Sequence, residues 1–258
     1  MHFDLVSDLH ENWWPSDQRM NFAGLGTSLL AVVAGDISQD WNFTYDYLVD
    51  MSKHYRHVVY VDGNHEHNGE SNIQNNCDQF ATRIRLLDNI TYLHRGAIVL
   101  DDTAFIGCNG WWTYDFCEPE ISKHDCWIQL LGETHNEIQM TENLHVAREE
   151  YRHLVQQLQI FDADFRINNI VIVTHTAPLK RFRYIPATMS AANLGRAGNS
   201  FMANALRYNT NKKVKAWCFG HVHKNWDETI DGIRFVCNPR GRPGDDLSPV
   251  YYPKLIEI

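Results

Sequence analysis

Five short motifs occur in order along the chain: Asp8-Leu9-His10, Gly35-Asp36, Gly63-Asn64-His65-Glu66, Thr174-His175 and Gly220-His221-Val222-His223. Between them they offer carboxylate, amide and imidazole groups, the ligand types that bind divalent transition metals. An isolated Asp-x-His triplet is weak, and a Gly-Asp or Gly-Asn pair by itself is normally a turn. Five such groups in series, each close behind an apolar run, point to a site for two metal ions. The nine remaining histidines read as ordinary surface or hydrogen-bonded residues. His67 is the one to watch, because it follows directly on Asn64-His65-Glu66.

The elements that must position these groups are legible. Residues 3–6, 29–34, 57–61, 170–173 and 214–219 are short and rich in Val, Ile, Leu or aromatics, and read as strands. The polar motifs begin within a residue or three of each run. In an open α/β sheet, sites form in the crevice beyond the carboxyl ends of the strands. Five strand ends converging there would bring distant ligands together. Residues 44–54 and 72–87 read as helices, the second with Cys77, Phe80, Ala81, Ile84 and Leu87 on one face. Residues 98–100 and 104–106 read as a hairpin turned at Asp101-Asp102. Thr141 opens an amphipathic helix carrying Leu144, Ala147, Tyr151, Leu154, Val155 and Leu158 on one stripe. Residues 233–237 and 254–258 read as late strands, and 180–199 as irregular.

The motif set resembles the calcineurin-like metallophosphoesterase superfamily, whose pattern runs D-x-H, G-D, G-N-H-[DE], H and G-H-x-H. The matching motifs reach from Asp8 to His223, nearly the whole chain. The resemblance implies a four-layer α/β/β/α sandwich with a dinuclear metal centre. It assigns Asp8, His10, Asp36 and His223 to one metal. Asp36 then bridges to a second, completed by Asn64, His175 and His221. It makes His65 a non-ligand that faces the substrate and assists the leaving group. Glu11 follows His10 here, and Ile37-Ser38-Gln39-Asp40 follows Asp36. The Gly and the Asp-Arg-Gly of the serine/threonine protein phosphatases are therefore missing. The chain is closer to small bacterial- or phage-type phosphoesterases.

That ligand set has a defined chemistry. Two divalent ions about 3.5–4 Å apart need a shared anionic ligand. Two such ions less two carboxylates leave a core charge of about +2, which attracts a phosphate anion. Mixed nitrogen and oxygen donors favour Mn, Fe, Zn, Co or Ni over Mg or Ca, with Mn the first expectation. A metal-bound water whose pKa falls to about 7 is a nucleophile at neutral pH, and His65 would serve as general acid. The expected reaction is hydrolysis of a phosphomonoester or phosphodiester, in a small phosphorylated molecule or a nucleotide. A nuclease, a protein phosphatase and a non-catalytic scaffold are the alternatives.

Bulk properties set the frame. The chain has 258 residues, 44% of them apolar, and a net charge of −9. One domain over residues 1–258 is the simplest reading, with no linker or repeat to divide it. The acidic balance disfavours general nucleic-acid binding. No stretch approaches the ~20 apolar residues of a membrane span, and the N-terminus does not read as a signal peptide, so a cytoplasmic location is expected. The six cysteines read as reduced and structural. Residues 111–137 lack a clear period and concentrate Trp111, Trp112, Tyr114, Phe116 and Trp127. They are expected to form a cap-like insertion that sets substrate choice, with Trp112 stacking on substrate. Lys180, Arg181, Arg183, Arg240 and Arg242 are further candidates for substrate contact, though each run reads first as solvated surface or turn. Glu66 is expected to orient a metal-bound imidazole.

Overall fold

The apolar runs read from the sequence pair with one another in two sheets. A computed structural model describes residues 1–67, 72–133, 137–184, 189–245, 247 and 250–258. The first sheet has the order β11-β1-β2-β3-β4, formed by Lys254–Glu257, His2–Val6, Leu30–Ala34, His57–Val61 and Ile90–Tyr92. Strands β1 to β4 are parallel, and β11 closes the edge antiparallel. The second sheet has the order β5-β6-β7-β8-β10-β9. These strands are Gly96–Leu100, Thr103–Cys108, Asn169–Thr174, Val214–Phe219, Ile233–Cys237 and Trp226–Ile230. Its four central strands are parallel and its two edges antiparallel. All five residues of β2 and all six of β6 are buried, as expected for parallel strands covered on both faces.

Four layers follow from which side chains meet. Phe3, Leu5, Val32 and Val59 of the first sheet pack against Phe105, Val171, Ala216 and Val236 of the second. The outer face of the first sheet is covered by Leu48 and Met51 of α1 (Trp41–Met51) and by Phe80 and Ile84 of α2 (Ile73–Ile84). The outer face of the second is covered by Leu154 and Leu158 of α4 (Glu137–Ala163). This is the expected α/β/β/α sandwich. All six cysteines are free and buried.

Some boundaries differ from the sequence reading. Helix α1 starts three residues early because the Asp40 side chain caps it, accepting from Asn42 N at 2.7 Å and Phe43 N at 3.1 Å. Asn72 caps α2 in the same way, accepting from Asn75 N at 2.8 Å. The stretch 111–137 is not aperiodic throughout: α3 (Lys123–Glu133) lies within it. Cys126 and Leu130 of α3 are buried, while Ile128 is 54% exposed, so the apolar pattern that would reveal the helix is broken. Residues 134–136, part of that stretch, and 185–188, part of the irregular segment 180–199, lie outside the described residues. The edge strands β4 and β9 escaped the sequence reading; one is three residues long and the other reads Trp-Asp-Glu-Thr-Ile, mostly polar and partly exposed.

Candidate metal centre

Strands β1, β2, β3, β7 and β8 are parallel within their sheets, and each delivers its motif just past its carboxyl end. Backbone hydrogen bonds then join the loops. Asp8 N donates to Gly35 O at 3.0 Å, His10 N to Asp36 O at 3.0 Å, and Gly220 N to His175 O at 2.7 Å. The turns are sharp. Asp8, His10, Asp36, His221 and His223 all have positive φ, between 43° and 69°. Asp tolerates the left-handed region better than most residues, yet five such positions in one site mark backbone held by its surroundings. Glycine is needed where the loops touch. A Cβ on Gly63 would stand 2.1 Å from Asp36 Oδ1, and one on Gly35, itself at φ +84°, would stand 2.4 Å from His175 Nδ1.

The side chains converge as two groups sharing one residue. Donor atoms of Asp8, His10, Asp36 and His223 lie within 4.8 Å of one another, and so do those of Asp36, His175 and His221. Asp36 Oδ2 stands 3.6 Å from His10 Nε2 and 3.3 Å from His175 Nε2. His10 Nε2 and His223 Nε2 are 2.9 Å apart, and His223 Nε2 is 3.6 Å from Asp8 Oδ1. Asn64 Oδ1 and His221 Nδ1 lie 3.2 and 3.3 Å from His175 Nε2.

Lone pairs facing lone pairs test whether these residues fit metal ions. His175 Nδ1 donates to Ala34 O at 2.9 Å, which leaves Nε2 as the lone-pair nitrogen of a neutral ring. That nitrogen faces the acceptor oxygens of Asn64 and Asp36. Only a proton or a cation resolves such a contact. Asp8 Oδ2 and His10 Nδ1 are also buried without a hydrogen-bond partner. The donor set therefore fits divalent ions on both sides of Asp36.

The charges agree. Burial opposes a charge on His175, but the Asp36 carboxylate and its hydrogen bond outweigh it and push the imidazole up to about 10. Burial likewise opposes the Asp36 charge, and His175 and His65 overcome it, holding that carboxyl well below its ordinary range. Asp8 is pushed up by burial, against the pull of His223 and His175. Burial drives His10 and His221 well down, towards the neutral form that binds metal.

The supporting contacts differ from expectation at Glu66. Its carboxylate does not orient an imidazole. It accepts four backbone N–H groups: Oε1 from Ile37 at 2.6 Å and Ser38 at 3.3 Å, Oε2 from Gly63 at 2.8 Å and Asp36 at 3.1 Å. It thus ties the Asp36 loop to the Asn64 loop. The imidazoles are oriented by Ala34 O and by Asp245, whose Oδ2 lies 2.6 Å from His223 Nδ1. His67 turns away from the centre and meets Asp62 Oδ2 at 2.8 Å.

His65 sits at the rim of the donor set, its ring centroid 4.8 Å from that of His10. Its backbone N–H donates to Asp36 Oδ1 at 2.8 Å. Arg242 Nη2 donates to its Nε2 at 2.5 Å, and Gln39 Nε2 lies 3.1 Å from Nδ1. With Nε2 accepting from the arginine, the neutral ring carries its proton on Nδ1, and a Gln39 amide flipped to present its oxygen there would accept it.

Four of the candidate substrate contacts, Trp112, Arg181, Arg183 and Arg240, have other partners. Trp112 is 3% exposed and its ring stacks on His221 at 5.6 Å, so it forms the wall behind a ligand. Trp111, Tyr114 and Phe116 are buried too and belong to the core, while Trp127 is partly exposed. Arg181 pairs with Glu228 at 2.7 Å. Arg183 binds Phe116 O and Glu118 O, both at 2.6 Å, and pairs with Glu120. Arg240 is 8% exposed, pairs with Glu11 at 2.6 Å and stacks over Trp14 at 4.2 Å. Sequence reasoning named Arg242 with Arg240 as a candidate for substrate contact but missed Gln39 and Asp245. The segment Asn238-Pro239-Arg240-Gly241-Arg242-Pro243-Gly244 reads first as a turn.

The family model for calcineurin-like phosphoesterases matches residues 1–225. The chain belongs to that family. Among curated proteins, an uncharacterized protein of Acanthamoeba polyphaga mimivirus is 24% identical over 201 residues, covering 74% of this chain and 70% of the relative. Among solved structures, phosphopantetheinyl hydrolase from Mycobacterium tuberculosis superposes with a TM-score of 0.70 at 18% identity, covering 93% of this chain and 89% of that one. At that identity the likeness is one of fold. Among the described residues, no helix is long and apolar enough to cross a membrane.

Proposed function

We propose that the chain hydrolyses a phosphoester of a small phosphorylated molecule at a dinuclear metal centre. One observation carries this reading: Asp36 Oδ2 belongs to both donor groups, so one carboxylate can serve two ions. Asp8, His10, Asp36 and His223 would hold the first ion, and Asp36, Asn64, His175 and His221 the second, with manganese the first expectation. Bound there, the ions supply an ionised water at neutral pH and offset charge on the phosphoryl oxygens.

The residues of the chain supply the rest. The strand-end loops fix the ligands, and Glu66 locks two of those loops together. Trp112 backs His221. His65 lies beside Asn64 at the rim of the donor set, with Arg242 on its Nε2. In the resting fold Nε2 accepts from Arg242 and carries no proton. Once Arg242 has turned to another acceptor, Nε2 would take up a proton from solvent and, as the P–O bond to the leaving group breaks, pass it to the departing oxygen. The test is elemental analysis of metal-loaded protein together with assays on monoesters, diesters and nucleotides. Binding of no more than one ion at saturation, or no turnover of any ester, would refute the reading.

A further inference from the structure

We infer that Arg242 is the phosphoryl-binding residue of this site, and that its charge selects a phosphomonoester dianion over a phosphodiester. The inference rests on the hydrolase reading above. It starts from the loop after β10. Arg240 N donates to Ser7 O at 3.0 Å and Gly241 N to Asp8 O at 2.8 Å, so the loop is laid directly on the first ligand motif. Arg240 and Glu11 pin it from below, and Trp14 Nε1 donates to Gly241 O at 3.1 Å. Gly241 has φ +77°, and a Cβ there would come within 2.6 Å of Leu247 and 2.8 Å of Asp245. The turn permits no other residue at that position without a shift. It sends Arg242 to His65 and Asp245 to His223.

The arginine is poised rather than engaged. Arg181, Arg183, Arg234 and Arg240 each pair with a carboxylate. Arg242 has no carboxylate partner among the described residues. Its neighbour Asp245 directs Oδ2 to His223 Nδ1 and to the Arg242 backbone N–H, at 2.6 and 2.7 Å. Arg242 Nε is buried with no hydrogen-bond partner, and the Nη2 bond goes to an uncharged acceptor. The guanidinium lies 5.1 Å from the ring of Trp13, which is 48% exposed, within reach of a cation–π contact. A planar fork with spare donors matches two phosphoryl oxygens.

Charge then decides between esters. Two divalent ions, two carboxylates and one hydroxide sum to about +1, and Arg242 raises this to about +2. A monoester dianion balances that total and a diester monoanion does not. Binding the phosphoryl group also draws Arg242 off His65 Nε2, which frees that lone pair to take up a proton from solvent and pass it to the leaving group.

The experiment compares metal-loaded wild type with Arg242→Gln and Arg242→Lys. Inorganic phosphate binding is followed by calorimetry, and kcat/KM is measured on p-nitrophenyl phosphate and bis-p-nitrophenyl phosphate. Metal content and melting temperature are recorded for each. Arg242→Gln should keep both ions and weaken phosphate binding about 10- to 100-fold, the range of one charge-assisted hydrogen bond. The monoester should lose at least as much in kcat/KM and the diester several-fold less, with Arg242→Lys recovering part of the loss. Unchanged phosphate affinity, or equal losses on the two esters, would overturn the inference. Should wild type hold two ions and turn over neither ester, the hydrolase reading falls. The phosphate titration would still separate an anion-binding Arg242 from a structural one.

Discussion

Replacing Glu66 by Gln removes one charge and one acceptor from a buried position, and the structure fixes what is lost. Oε1 serves Ile37 N and Ser38 N; Oε2 serves Asp36 N and Gly63 N. A glutamine offers one oxygen and one NH₂ group. Whichever way it turns, two backbone N–H groups lose their acceptor and face another donor. Each such buried group costs about 1–3 kcal/mol, so the pair costs about 2–6 kcal/mol. The lower end is favoured, because burial and the Asp36 charge already push the Glu66 carboxyl up to about 8, and the substitution relieves that strain. For a chain of this size the melting temperature should fall by roughly 4–12 °C. Because the two loops carry Asp36 and Asn64, metal affinity should fall as well, by about 10- to 100-fold. Thermal melts of metal-free and metal-loaded protein, with a titration of Mn²⁺, provide the readout. A melting temperature within ~2 °C of wild type and an unchanged Mn²⁺ affinity would refute the claim that this carboxylate holds the loops.

Wild type should saturate at two ions per chain and Asp36→Asn at fewer, by elemental analysis; an unaltered stoichiometry in the variant would remove Asp36 as the bridge. His65→Asn should retain both ions and lose about 10²- to 10⁴-fold in turnover, more for alkyl esters than for p-nitrophenyl esters; equal losses would argue against a leaving-group acid. His175 is raised to about 10 in the metal-free fold, from an ordinary 6.5. Its contribution to stability should therefore be complete below about 6.5 and be lost as pH rises towards 10. Melts of metal-free His175→Gln should lack that decline, and Mn²⁺ binding by wild type at pH 8 should release protons to the buffer. Trp112→Ala empties a buried site behind His221 and should cost about 3–5 kcal/mol of stability, leaving the ratio of nucleotide to p-nitrophenyl phosphate turnover unchanged; a selective loss on nucleotides would give the ring a substrate-stacking role instead.

The sequence by itself determined the candidate metal donors, because each is bound to its strand by covalent distance. A short buried parallel strand must end, and the residues just after it must turn at the same edge of the sheet as those after its neighbours. Asp8, Asp36, Asn64, His175 and His221 therefore carry their address in their spacing from β1, β2, β3, β7 and β8. The layered fold follows in the same way from runs too apolar to face water. What lies around the donors was decided only by tertiary contact. Arg242 and His65 meet across 177 residues, and Asp245 and His223 across 22, through a loop whose local sequence signals nothing beyond a turn. Arg240, two residues from Arg242 and of the same type, is turned inward to Glu11 instead. Which arginine reaches His65 depends on the direction in which Gly241 turns the chain, and hence on Leu247 and Asp245 packed against that glycine. Neither the composition nor the period of the sequence carries that information. It arises when the loop is laid against Ser7 and Asp8, at the far end of the chain.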